Sequence, residues 1–141
     1  MSSLSAIIES FWKTFESGDV DRALADHAAP DVEFVMPGVP TLRGIEQVRP
    51  LWVAYREAFP DFRHETLHAV EQGGTYAAET RFSGTHRGVL RTPMGEVGPT
   101  GKRVEWQSAD VVRFEGGRIA SWHVYHDTIP FLSQLGLLAG S

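Results

Sequence analysis

The stretch KRVEWQSADVVRFEGGRIASWHVYHDTIPFLSQ, residues 102–134, is the element around which the rest of the chain must fold. Two runs rich in Val, Ile, Trp, Phe and Tyr flank Gly116-Gly117, a pair that accepts positive φ at both turn positions without steric penalty. The pattern predicts a β-hairpin. A two-residue loop pairs Glu115 with Arg118, and an uninterrupted ladder then places Val104, Trp106, Ser108, Asp110, Val112 and Phe114 on one face. The same face receives Ile119, Ser121, His123, Tyr125 and Asp127 from the partner strand. Asp110 thereby stands opposite His123, and Asp127 opposite Trp106. Ionisable groups on a core-like face are the oddity of this sequence. Apolar surroundings disfavour the charged form of a carboxyl, so such a group exchanges its proton near neutral pH, as general acid–base chemistry requires. A β-bulge in either strand would flip part of this row to the other face.

Composition narrows the classes around that hairpin. A chain of 141 residues is about one domain, residues 1–141, large enough to bury a core without disulfides. Hydrophobic residues make up 42% and charged residues 22%, the balance of an ordinary globular protein. A net charge of -5 with no basic run argues against a nucleic-acid partner. The absence of cysteine removes thiolate nucleophiles, disulfides and Cys-based metal sites. No run approaches the ~20 apolar residues of a membrane span, and the N-terminus lacks the basic and apolar regions of a signal peptide, so no membrane partner and a cytoplasmic location are expected.

Upstream of the hairpin, Leu4, Ile7, Ile8, Phe11, Trp12 and Phe15 mark one face of a helix ending before Gly18. Asp19 is placed to cap a short helix over residues 20–27, and residues 32–36 form a strand. Ile45, Val48, Leu51, Trp52, Tyr55 and Phe59 mark another helical face, with Pro50 inside it removing one backbone donor. Residues 62–72 and 75–86, joined by Gly73-Gly74, form an earlier hairpin. Residues 87–101 are a long loop or a frayed pair of strand ends, and residues 128–138 a short apolar helix or lid. Helices first and antiparallel strands afterwards predict an α+β fold, with the helices packed on one face of a curved sheet and a cavity between them.

Several phrases together resemble one family across nearly the whole chain: FPDFRHE at 59–65, GTHRG at 84–88, PTGKRVEW at 99–106, FEGGRI at 114–119 and DTIPFLSQLG at 127–136. In this order they are similar to the SnoaL-like polyketide cyclases, or ester cyclases, of the nuclear transport factor 2-like (NTF2-like) superfamily. The resemblance implies a cone with a deep pocket, a homodimer built through the sheet, and neither metal nor organic cofactor. It also implies an intramolecular aldol closure of a small-molecule polyketide ester, with an aspartate at the end of the final strand as acid and base. Asp127 matches that position.

Each candidate has two readings. Asp127 is either the general acid or base at the pocket mouth or the N-cap of the last helix. Asp110 and His123 are either a polar dyad that tunes proton transfer or a satisfied buried pair. His86 points at the ligand or is structural, and Arg81 with Glu79 reads as a solvated or dimer-facing pair. Trp12, Phe15, Phe34, Met36, Trp52, Phe59 and Trp106, with Tyr125, either fill the core or line an apolar pocket for a ring-bearing substrate. The functional expectation is a cofactor-independent enzyme that moves a proton on a carbonyl-bearing substrate. The alternatives are a hydrolase or isomerase in the same pocket and a non-catalytic binding or dimerisation module.

Overall fold

The computed structural model describes residues 3–92 and 95–138. Helix α1, Leu4–Glu16, is capped by Ser3, whose hydroxyl accepts from the Ala6 amide at 3.1 Å, and ends where Gly18 adopts φ 99°. Helix α2, Val20–His27, is capped by Asp19, which accepts from the Arg22 amide at 3.0 Å. His27 ties the two helices together, one ring nitrogen on the Ala23 carbonyl at 2.8 Å and the other on the Ser10 hydroxyl at 2.9 Å. Strand β1 is Ala28–Val35 and β2 Leu42–Arg43; helix α3, Ile45–Ala58, carries Pro50 within it. Strands β3, Arg63–Gln72, and β4, Thr75–Thr85, form the first hairpin. The region 87–101 contains a small two-stranded sheet, β5 at Leu90–Thr92 and β6 at Gly95–Val97. Strands β7, Arg103–Glu115, and β8, Arg118–His126, form the second hairpin, and α4, Thr128–Gln134, follows.

The main sheet runs in the order β2-β1-β8-β7-β4-β3. It is antiparallel except where β1 lies parallel to β8. Its concave face takes Ile8, Phe11, Trp12 and Phe15 of α1 and Val48 and Trp52 of α3, all buried. The result is an α+β cone with the helices on one side of a curved sheet. Among the described residues no helix is long and apolar enough to cross a membrane.

The turn at Gly116-Gly117 forms as expected, φ being 58° and 77°, and Glu115 pairs with Arg118. Beyond Phe114 opposite Ile119 the ladder departs from the uninterrupted register. Arg113 faces Ser121, so Ala120 is an extra residue, a β-bulge. The cause is packing. Ile119 and Trp122 are both core residues, 1% and 3% exposed, yet three apart, and a period of two puts both inside only if one residue is inserted between them. Val112, Asp110 and Ser108 therefore face Trp122, Val124 and His126. The expected inward row of His123, Tyr125 and Asp127 is corrected: His123 and Tyr125 lie on the convex face.

Strand β8 stops opposite Ser108, whereas β7 runs on to Arg103. Helix α4 covers the strand edge left open. The Gln134 amide takes the place of a strand there, its oxygen accepting from the Glu105 amide at 2.8 Å and its nitrogen donating to the Glu105 carbonyl at 2.7 Å.

Candidate active site

Between the concave face and the helices lies a cavity of ≈ 60 Å³, walled by Trp12 and Phe15 of α1, Leu51, Trp52 and Tyr55 of α3, and Phe34 and Met36 from β1 and just after it. The sheet supplies Phe82, Trp106, Asp110, Trp122, Val124 and His126, and Phe62 closes one side. Six of the expected wall residues, Trp12, Phe15, Phe34, Met36, Trp52 and Trp106, stand on this cavity. Trp12, Trp52 and Trp122 pack on one another with centroids 5.4–5.7 Å apart and form its inner wall.

Asp110 is the acidic group in that wall. It projects from the centre of β7, beside Ala78 on β4 and Val124 on β8, and is 3% exposed. Burial pushes its carboxyl up to about 6 from the ordinary 3.8. Two neighbours pull the other way. The Ser108 hydroxyl donates to Oδ1 at 2.7 Å, and the Trp122 indole N–H faces the carboxyl without reaching hydrogen-bonding geometry. Among the described residues no lysine or arginine lines the cavity, so none supplies a counter-charge to the ionised acid there.

His126 sits opposite Ser108, diagonal to Asp110 on the same face. Burial depresses its imidazole, against the backbone and charge of Asp127, and so favours the neutral ring. Its Nδ1 is buried without a partner, as is Trp122 Nε1. Tyr55 completes the polar set: burial pushes its phenol up to about 12, which keeps it a hydrogen-bond donor. Unpaired buried polar atoms are uncommon in folded proteins. Two of them, beside a desolvated acid and around an apolar hollow, form a site able to hold a polar group of a ligand.

The remaining expected residues lie elsewhere. His123 places Nε2 3.3 Å from Glu33 Oε2 on the convex face, and Glu33 in turn meets Arg43 at 3.0 Å. Tyr125 is 57% exposed. Asp127 is exposed and caps α4, its Oδ1 accepting from the Ile129 amide at 3.0 Å. His86 is wholly buried but outside the cavity wall. Its Nδ1 accepts from the Thr100 amide at 3.2 Å, and its ring lies 5.7 Å from that of Phe59. Phe59 is also wholly buried, between Trp106 and Phe131. Arg81 pairs with Glu65 at 2.9 Å rather than Glu79. His126 and Trp122 are the polar wall residues that the ideal register missed, and the three-residue spacing of Ile119 and Trp122 was the signal that could have found them. Among the described residues no group of three or more His, Asp or Glu side chains could hold a metal ion.

The sequence profile of the SnoaL-like polyketide cyclases matches residues 6–135. The chain belongs to the SnoaL-like polyketide cyclase family. Solved structures agree on the fold. A SnoaL-like polyketide cyclase from Jannaschia superposes with a TM-score of 0.82 at 14% identity, over 98% of this chain and 92% of that one. IdmH of Streptomyces antibioticus, described as a polyketide cyclase, gives 0.78 at 26% identity, over 96% and 99%. An epoxide hydrolase of M. tuberculosis gives 0.70 at 17% identity, over 94% and 88%, so this SnoaL-like fold is shared with a hydrolase. Among curated proteins none matches the chain.

Proposed function

We propose that this SnoaL-like chain is a cofactor-independent enzyme in which Asp110 moves a proton on a compact, largely apolar substrate bearing carbonyl groups. The observation that carries the reading is the placement of Asp110: a single carboxyl, desolvated toward neutrality, in an aromatic cavity with unpaired Trp122 N–H and His126 Nδ1 groups. Ionised Asp110 takes a proton from a carbon next to a carbonyl. The Tyr55 hydroxyl and the Trp122 N–H are the donors available to the resulting enolate oxygen. In a polyketide-type aldol closure the enolate carbon then bonds to a second carbonyl of the same molecule, and that carbonyl's oxygen takes up the proton. The reaction is an isomerisation in which nothing is oxidised or reduced. Asp127, exposed on its helix cap, is replaced in this role by Asp110.

The family match, an aromatic wall and a hollow sized for the reacting end of a molecule all support this reading. The test is deuterium uptake by the acidic C–H groups of 2-indanone, a compact ring ketone, followed by NMR. Wild-type protein should accelerate exchange, with a rate that rises as pH passes through about 6. Asp110→Asn should reduce exchange to the buffer rate; equal rates in the two proteins would refute the role.

A homodimer through the sheet is part of the same proposal. Val35, His123, Val111, Ala77 and Val70 are successive cross-strand partners across the convex face, and Val70 is 71% exposed. Val111→Glu at the centre of that row should convert a dimer to monomer in sedimentation. A wild-type chain that sediments as a monomer at micromolar concentration would end the idea.

A further inference from the structure

Ser108 is buried beside the reactive carboxyl and outside the cavity wall. It is 5% exposed and lies two residues before Asp110 on the same face of β7. Its neighbours across the sheet are Thr80 on β4 and His126 on β8. Two residues of extended strand span ~7 Å, and the two side chains close that gap by leaning together, which brings the hydroxyl 2.7 Å from Asp110 Oδ1. A serine has one proton to donate, and here it is committed to the carboxyl. Oδ2 accepts from no described residue and is not fully enclosed, so it is the oxygen open to the cavity.

We propose that Ser108 is a positioning residue for the proton transfer: it pins Oδ1 of Asp110 and thereby presents Oδ2 to the C–H group of a ligand in the cavity. This rests on the reading of Asp110 as the base. The terminal torsion of an aspartate is broad, so a carboxyl among apolar walls needs a hydrogen bond to fix its plane. The Ser108 hydroxyl supplies one. A hydroxyl also binds a carboxylate more strongly than a neutral acid, so the same contact favours the ionised base against the burial that disfavours it. In the transfer Oδ2 takes the proton from carbon and later returns it, while Ser108 keeps its own proton throughout. Of the other groups around Asp110, Tyr55 on α3 and Tyr76 on β4 are both pushed up to about 12 and stay neutral. His126 on β8 is depressed by burial, and α1 contributes the rings of Trp12 and Phe15.

The test reads the carboxyl and the reaction separately. Carbon-13 NMR of protein labelled at its aspartate carboxyls follows the titration, Asp110 being the signal lost in Asp110→Asn. In Ser108→Ala the Asp110 midpoint should rise from about 6 to about 7 or above, and the pH profile of 2-indanone exchange should move with it. Ser108→Thr keeps the hydroxyl and should hold both midpoints near those of wild type. Ser108→Val, the same shape without the hydroxyl, should behave as Ser108→Ala, and this pair decides the matter if the alanine variant misfolds. A merely structural serine would lower the exchange rate at every pH and leave both midpoints where they are. An unmoved Asp110 midpoint in Ser108→Ala, or Ser108→Thr titrating like Ser108→Val, overturns the positioning role, while the Asp110 reading still stands on the loss of exchange in Asp110→Asn. If the carboxyl midpoint rises and the exchange profile stays in place, or if wild type exchanges 2-indanone no faster than buffer, the Asp110 reading falls and the positioning role with it.

Discussion

Replacing Asp110 with Asn should raise stability at pH 8 and lower it at pH 4. The folded-state carboxyl titrates at about 6 against 3.8 for a solvated one. At ~1.4 kcal/mol for each tenfold change, holding the acid ionised in that cavity costs roughly 3 kcal/mol. The sign follows from proton counting. Between pH 3.8 and about 6 the folded chain holds a proton that the unfolded chain has lost, so the penalty is absent below that window, grows through it and is complete above it. Asn cannot ionise and escapes it. Its amide oxygen still accepts from Ser108, but its NH₂ lacks a partner, which costs about 1–2 kcal/mol at either pH. The expected outcome is a variant more stable than wild type by about 1–2 kcal/mol at pH 8 and less stable by a similar amount at pH 4. Urea denaturation of both proteins at the two pH values measures it, because other titrating groups cancel in each difference. The pH dependence of the difference, near 3 kcal/mol, is the decisive quantity. A difference between variant and wild type that is the same at both pH values would show that Asp110 is neither desolvated nor raised, and the proposed proton transfer would lose its physical basis.

Other perturbations test the frame around that acid. His64 lies between two carboxylates of α1, Nε2 on Glu9 at 2.8 Å and Nδ1 on Glu16, and stacks on Trp12 at 5.2 Å. Burial alone would push this imidazole down, but Glu16 and Glu9 outweigh it and the net movement is upward. Its stabilisation is therefore complete below 6.5 and lost as pH rises through the folded-state value, so His64→Gln should lower the melting temperature more at pH 6 than at pH 9; a loss independent of pH would exclude a charged clasp. Gly88→Ala would place a Cβ 2.2 Å from the Glu57 carbonyl oxygen, and a backbone neighbour cannot swing aside, so a loss above ~2 kcal/mol is expected in chemical denaturation. Asp127→Ala should cost about 1 kcal/mol by removing the cap on the Ile129 amide, and Asp127→Asn should restore most of it.

Deleting Ala120 tests the origin of the site itself. Without the extra residue the hairpin would take the uninterrupted register, turning His123 and Tyr125 toward the helices and Trp122, Val124 and His126 outward. The chain would have to bury an imidazole and a phenol where an indole now packs on Trp12 and Trp52, so near-UV circular dichroism of the deletion variant should show loss of fixed tertiary packing. A deletion variant with native near-UV signal and native stability would mean that the bulge does not set which face is inside.

The same residue explains which parts of the site were legible before any coordinates. Asp110 could be placed because β7 keeps a strict alternation from Val104 to Val112, and its face depends on nothing outside that strand. The helical faces of α1 and α3 were legible for the same reason, their apolar spacing being local. Across the turn the inference needed an exact residue count, and Ala120 shifted every later side chain to the opposite face. His123 and Tyr125 were thereby exchanged for Trp122, Val124 and His126. The parallel contact of β1 with β8 joins residues about ninety apart, and no local periodicity encodes it. Asp127 failed for a different reason. Its Asp-Thr-Ile-Pro context satisfies a helix start, and the exposed carboxylate is held by the Ile129 amide as the cap of α4, away from the aromatic cavity. A carboxyl's proton affinity rises with the water it loses, and among the described residues Asp110 is the buried carboxyl.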